Sequence, residues 1–200
     1  VHFVERVIMK KTAITAAPIA PVLAERWSPR AFDETHTLSQ HEALSILEAG
    51  RWAPSSMNGQ PWRFSLLNRG DALWEQVAEN GLSGFNKAWA PRASALLVVS
   101  VKTQTADGKP WAGAHYDAGL SVAQMCIQAE ELGLRTHQMG GFVKDAVHEI
   151  LDLADDLEVL VVVAIGKQAP AETLEGPAFE REVQARVRHE LDEIVLHGKP

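Results

Sequence analysis

The stretch Arg26-Trp27-Ser28-Pro29-Arg30-Ala31-Phe32 lies between a predicted short helix over residues 21–27 and an acidic turn. Its two arginines are four residues apart with a serine midway. On a helical turn that spacing puts both guanidiniums on one face, within reach of one anion. The hydroxyl adds a neutral donor or acceptor for a polyol beside that anion. Arginine, unlike lysine, offers a planar fork that suits phosphate oxygens. A solvated basic turn reads the same residues without a ligand, since exposed arginines are common. The rest of the chain has to decide between the two.

The chain has 200 residues, of which 46% are hydrophobic, enough for one domain with a substantial core. Nineteen basic residues against 26 acidic ones give a net charge of −7. That balance argues against general nucleic-acid binding, which needs a basic face. A basic cluster is therefore a local feature on an acidic background. The single cysteine, Cys126, excludes an internal disulfide and any CxxC site. The longest aliphatic run, residues 157–165, is under half of the ~20 residues a membrane helix needs, so no membrane association is expected. Residues 1–20 show no clean period. Met9-Lys10-Lys11 followed by residues 12–23 only faintly suggests a leader, because Thr12, Thr15, Pro18 and Pro21 interrupt its apolar core. We read residues 1–20 as a poorly ordered arm, with upstream readthrough before Met9, and expect a cytoplasmic protein.

Beyond the arm, residues 21–200 read as one domain. Ser39-Gln40-His41-Glu42 fits a capping box that opens a helix over residues 40–52, with Ala43, Leu44, Leu47 and Ala49 as its buried stripe. Residues 53–62 have loop chemistry, small and amide side chains bracketed by prolines. Strands are predicted over residues 63–67, 94–101, 134–139 and 159–165, and a helix over 71–80. Residues 104–113 suggest a mobile lid. The helix over 115–132 is apolar almost all round, which needs a central place or a subunit contact. A short helix is expected over 143–151. Residues 166–200 read as a charged tail that must pack on something to be ordered.

Several familiar centres are missing. There is no GxxxxGK[ST] or GxGxxG phosphate cradle, no HExxH, no GxSxG elbow and no metal-ligand spacing among the eight histidines. Any enzymatic chemistry would then come from a bound cofactor.

Four segments in order carry a resemblance: Arg26-Trp27-Ser28-Pro29-Arg30-Ala31-Phe32, Ala53-Pro54-Ser55-Ser56-Met57-Asn58-Gly59-Gln60-Pro61-Trp62-Arg63-Phe64, Gln138-Met139-Gly140-Gly141-Phe142, and Arg186-Val187-Arg188. Together the chain resembles the FMN-dependent nitroreductase family over about residues 21–195. The resemblance implies an α+β fold, a mostly antiparallel sheet flanked by helices in an intertwined homodimer. It also implies an FMN site at the subunit interface, NAD(P)H as co-substrate, and a small-molecule electron acceptor such as a nitroaromatic or quinone. The C-terminal tail would pack on the partner subunit.

Residue by residue, the resemblance gives Arg26 the cofactor phosphate and Ser28 the ribityl chain, with Trp27 between them. Arg30 falls near the pyrimidine edge of the ring, where a cation stabilises the charge that develops on reduction and so tunes the flavin. Pro54, Ser55, Ser56 and Asn58 match a loop that reaches the flavin from the partner subunit; an Asn/Ser turn without a ligand is the other reading. Gly140 and Gly141 supply backbone N–H groups for flavin N5, since the lack of side chains allows close approach, with Met139 before them among the cofactor-binding residues. An ordinary strand-to-helix turn would use the same glycines. Arg186 and Arg188 match a basic pair that closes on the phosphate. Here the chain departs from the family, with Glu190 after His189 where a proline is usual. No residue is singled out as catalytic and no metal is expected. Trp111, Phe85 and Trp89 are candidates for stacking on the substrate face or for packing, and His115 and His137 for substrate contact or structural hydrogen bonds. Two rival functions share the fold or the cofactor: a flavin-dependent dehydrogenase or reductive dehalogenase, and a flavin-binding module without turnover.

Overall fold

The computed structural model describes residues 8–198. Its elements run α1 (Pro21–Glu25), α2 (Gln40–Arg51), β1 (Trp62–Asn68), α3 (Ala72–Gln76), β2 (Ala95–Lys102), α4 (Ala114–Glu131), β3 (Arg135–Met139), α5 (Lys144–Ile150), β4 (Leu157–Gly166), α6 (Gly176–Val183) and α7 (Leu191–Ile194). The architecture is α+β. The strands form one four-stranded sheet in the order β1-β2-β4-β3, with every neighbouring pair antiparallel.

The aliphatic runs predicted as strands occupy the middle of this sheet because both of its faces are covered. Leu97, Val99, Val163 and Ile165 pack on one face against Ile46 of α2 and Val122, Met125 and Cys126 of α4. Leu96, Val98, Val162 and Ala164 pack on the other with Phe32, Trp74, Trp89 and Met139. Successive side chains alternate between faces until the register shifts between Val99 and Ser100, where Val99 pairs with Val161 and Ser100 with Val159. The extra residue on β4 is Leu160, and the bulge returns Val159 to the Trp89 face.

The capping box forms as read: Ser39 Oγ accepts from Glu42 N, and Glu42 Oε2 accepts from Ser39 N at 2.8 Å. The buried stripe of α2 differs from expectation. Ile46 and Gly50 are its buried residues, while Leu44 is exposed. Gly50 is the reason. A Cβ there would fall 2.7 Å from Met125 Cγ, so glycine lets α2 and α4 approach closely, and Ser121 Oγ donates to Gly50 O at 2.9 Å. The apolar character of α4 divides in the same way: one side is core, and the other leaves Tyr116, Gly119 and Ala123 in solvent.

The helix expected over 71–80 is α for Ala72–Gln76 and a π turn for Val77–Gly81. The C-terminal tail contains α6, which the sequence reading did not anticipate, and its Glu182 has no solvent exposure. Of the expected arm, residues 1–7 lie outside the described residues. The remainder lies along the body, through Gln168 Nε2 donating to Met9 O, Lys11 Nζ to Gln184 O, and Ala13 N to Ala24 O. The segment read as a lid closes on itself, with Gln104 bridged to Pro110 and Trp111 N donating to Thr103 O at 2.8 Å.

Candidate functional site

Pro29 shapes the first half of the site. It disfavours the α region for Ser28, the residue before it, and α1 has already ended at Glu25, with Arg26 extended at φ −61°, ψ 125°. The two arginines therefore do not share a helical face, contrary to the spacing argument, and they meet different surroundings. Arg26 Nη1 lies 3.5 Å from Ser28 Oγ, to which it donates. Its charge is felt by Arg186, whose pKa is lowered by burial first and then by the neighbouring Arg26 and Arg188 charges; Glu25 and Glu130 oppose them. Three guanidiniums thus converge from two distant parts of the chain. Arg186 also ties the arm down, its Nη1 donating to Lys11 O at 2.8 Å and Ala24 O at 2.7 Å. Arg188 is exposed and donates to Val187 O. A cavity of about 560 Å³ borders Arg186 and Arg188, and Glu190 lines it too, so the acidic departure from the family does face this space.

Arg30 is half-buried, and its Nε is buried without a hydrogen-bond partner. The guanidinium lies over Phe85 at 5.7 Å and Trp89 at 6.0 Å from the ring centroids. Burial lowers its pKa, with Glu182 opposing and Arg181 adding to the effect. The main chain around it is held from two sides. Arg30 N donates to Glu182 Oε2 at 2.7 Å and Ala31 N to Glu182 Oε1 at 3.3 Å. From β3, His137 Nδ1 donates to Pro29 O at 2.9 Å while its ring packs on Trp89 at 4.4 Å. Burial, reinforced by the Arg30 charge, pushes the His137 pKa down to about 4. The ring is therefore neutral at pH 7, with its proton on the nitrogen that serves Pro29.

Two residues beyond His137, β3 ends at Met139, which is buried. Gly140 and Gly141 follow in the open, and a Cβ on Gly140 would meet nothing within 4 Å. The Gly141 carbonyl is fixed by Ser83 N at 3.2 Å and Asn86 Nδ2 at 3.0 Å. The N–H groups of Gly140 and Gly141 have no acceptor among the described residues. Trp27, also buried, carries Lys11 Nζ over its ring at 4.4 Å. Thus Arg26, with Ser28 beside it, gathers with Arg186 and Arg188, Trp27 meets Lys11 of the arm, Arg30 meets Phe85 and Trp89, Met139 shares a core cluster with Trp89, and Gly141, next to Gly140, is tied to Asn86 beside Phe85.

The 54–58 loop does not join them. Pro54 is exposed, and Ser55, Ser56 and Asn58 form a turn in which Met57, Asn58 and Gln60 have φ of 50°, 55° and 50°. Left-handed backbone at three non-glycine residues is costly, so the turn must be held. Ser55 Oγ accepts from Gln60 N at 3.1 Å, and the buried Asp117 of α4 accepts from Ser56 N at 3.2 Å. Gly59 lies under Trp111, where a Cβ would fall 2.3 Å from Cζ2. Met57 is fully exposed. The loop borders a cavity of about 800 Å³ with Trp111, Arg63 and Lys102. Asp117 opens α4, whereas the Arg26 charge is felt near its other end, at Cys126 and Glu130. The two groups are thus separated by roughly 15–20 Å along the helix axis.

Trp89 has no solvent exposure and is core, whereas Phe85 stays partly open between Arg30 and Arg181. His115 is exposed and bonded to Glu158. Sequence reading missed Lys11, Asn86 and Glu182. Only Asn86 carried any local signal, as a polar residue two positions after Gly84. No group of three or more potential metal ligands occurs among the described residues.

A family model described as the Nitroreductase family matches residues 23–167. The oxygen-insensitive NADPH nitroreductase of Helicobacter acinonychis (strain Sheeba) is 29% identical over 183 residues, covering 74% of this chain and 86% of that protein. A crystal structure described as an oxidoreductase containing FMN is 37% identical, with a TM-score of 0.85, and the match covers 93% of this chain and 94% of that one. A nitroreductase family protein from Clostridium difficile 630, 23% identical with a TM-score of 0.66 over 87% of this chain and 94% of its own, shares the fold.

Proposed function

This chain belongs to the nitroreductase family, and on that premise we propose that it is an FMN-dependent oxidoreductase acting as a homodimer. NAD(P)H would be the donor and a nitroaromatic, quinone or similar small molecule the acceptor. When bound, FMN supplies the hydride chemistry between donor and acceptor, for which the chain itself offers no substitute.

The observation that carries this reading is the convergence of Arg26, Arg186 and Arg188, beside an Arg30 whose buried Nε has no partner. Clustering three cations is unfavourable beyond what Glu25 and Glu130 offset, and an anion joining them relieves it. Their forked donors suit a phosphate, and the Ser28 hydroxyl beside Arg26 suits a ribityl chain. The unmet N–H groups of Gly140 and Gly141 suit a ring nitrogen, with no side chain to keep a planar ring away. The donor set therefore fits FMN. Arg30 holds a fixed positive charge for the pyrimidine edge, and the neutral His137 keeps a second cation from competing there. Trp27 and Met139 back the site from the core.

The separate 54–58 loop supports the homodimer. Its Ser55, Ser56 and Asn58 would complete the site of a second copy. Leu44, Trp52, Met57 and Tyr116 leave large apolar side chains exposed, and Val187, Leu191, Ile194 and Leu196 do so along the tail. We assign residues 21–200 to one domain whose tail packs on that partner. No helix among the described residues is long and apolar enough to cross a membrane.

The absorption spectrum of the purified protein, followed by anaerobic mixing with NADH and NADPH, tests the proposal. We expect flavin bands that bleach on the timescale of turnover. Flavin that neither nicotinamide reduces would make the chain a binding module, and a protein that takes up no FMN would exclude both readings.

A further inference from the structure

Two carboxylates are buried among the described residues, Asp117 and Glu182. Asp117 serves the 54–58 loop. Glu182 lies on α6, outside the residues that match the family model, and it serves Arg30. Burying an ionised carboxylate is unfavourable unless hydrogen bonds and opposite charges compensate. Both kinds of compensation are present. Each carboxylate oxygen accepts one main-chain N–H, from Arg30 at 2.7 Å and Ala31 at 3.3 Å. The charges that face it come from two elements, Lys11 on the arm and Arg30 on the loop, and with the two N–H groups they oppose the burial that raises its pKa.

The geometry has an unusual division. Glu182 holds the peptide of Arg30 but does not form an ion pair with its guanidinium, and Arg30 enters no ion pair among the described residues. The guanidinium is left against Phe85 with Nε unpartnered. The carboxylate is thus close enough to subtract from the Arg30 charge without occupying its donors.

We infer that Glu182 is a positioning residue for the flavin site, fixing the Arg30 backbone and setting how much positive charge the bound cofactor's pyrimidine edge feels. The inference rests on the FMN reading above. With the carboxylate in place, the net field at that edge is weaker than Arg30 and Lys11 would give alone. Removing its charge therefore favours the reduced, more negative cofactor.

The test is the midpoint potential of FMN-loaded, full-length protein, measured by dye equilibration for wild type and Glu182→Gln. Glutamine keeps the shape and one acceptor but not the charge. We expect the potential to rise, with the ratio of reduced to oxidised cofactor at fixed poise increasing roughly tenfold, as for loss of one charge at an effective dielectric near 20. Introduced into an Arg30→Gln background, the same change should have a smaller effect. Lys11→Gln, on the arm and outside the core, removes a cation from the same cluster and should lower the potential. It decides the matter if Glu182→Gln does not fold or does not hold FMN. A purely structural Glu182 would lower the melting temperature of Glu182→Gln and leave its potential at the wild-type value, which overturns the inference; an unchanged potential in Lys11→Gln does so where that variant has to decide. Wild-type protein that takes up no FMN overturns the underlying reading itself, and needs no variant to show it.

Discussion

The loops at residues 26–31 and 54–59 are both held by a buried carboxylate that accepts main-chain N–H groups, Glu182 for one and Asp117 for the other. What the anchored loops present is opposite. The first is backed by Trp27, Phe32 and Trp89, all buried, and displays cations that the same chain gathers from its two ends. The second displays left-handed backbone, a fully exposed Met57 and small polar side chains, of which Ser55 serves the turn itself while those of Ser56 and Asn58 meet no partner among the described residues. A loop whose polar groups are gathered against a packed platform can hold a ligand within one subunit. A loop equally well anchored but left facing solvent is open to a neighbour, the role proposed for it above. The contrast yields a graded set of expectations.

The largest concerns the platform. Trp89 has no solvent exposure and touches both Phe32 and His137. Trp89→Ala should cost about 3–5 kcal/mol of stability in urea denaturation. Met57→Ala should stay within about 0.5 kcal/mol for the single chain while weakening self-association. Similar losses of folding stability from both would erase the distinction between the loops.

Next in size is a pH effect confined to the first loop. His137 has its pKa depressed from 6.5 to about 4 in the folded chain. The unfolded chain therefore binds the extra proton between those values. Stability is full above about pH 6.5 and falls as the pH drops towards 4, by roughly 2–4 kcal/mol. His137→Asn should flatten that part of the stability–pH profile, and a profile with the wild-type slope would remove His137 from the account. Among the described residues no histidine hydrogen-bonds to the second loop, so substitutions there should leave the slope alone.

Binding effects come third. Arg26→Ala should weaken FMN retention by roughly tenfold or more, the scale of a lost charged hydrogen bond, measured by titrating apo-protein. Arg30→Ala should act mainly on the rate of bleaching by NAD(P)H. Equal effects of both changes on both quantities would contradict the split between holding and tuning. The smallest effect is expected from Gly140→Ala, whose new methyl meets nothing within 4 Å. Its stability should change by less than about 0.5 kcal/mol, yet FMN affinity should fall, because the methyl would stand where the ring approaches.

Much of the fold is legible in the residues themselves. β2 and β4 are aliphatic enough to be read as covered strands, and the Ser39–Glu42 box marks the start of α2 to the residue. The face that α2 buries is not legible, because the contact is made by Gly50, a residue that gives no hydrophobic signal. The basic segments were readable as motifs, although the spacing argument for them does not hold: α1 ends at Glu25, so the two arginines share no helical face. Glu182 was invisible for a different reason. It lies among charged residues, and its burial depends on Arg30 and the arm, more than 150 positions earlier in the chain, folding over it. Long-range burial of a polar residue leaves no periodicity to read.

The claim that matters most is that one chain holds only part of the site and a second copy supplies the rest. Native mass spectrometry of the protein mixed with FMN addresses it directly. We expect a species of two chains carrying two FMN, and loss of FMN when the two chains separate. A single chain that retains FMN with the full affinity of the assembled protein would contradict the account.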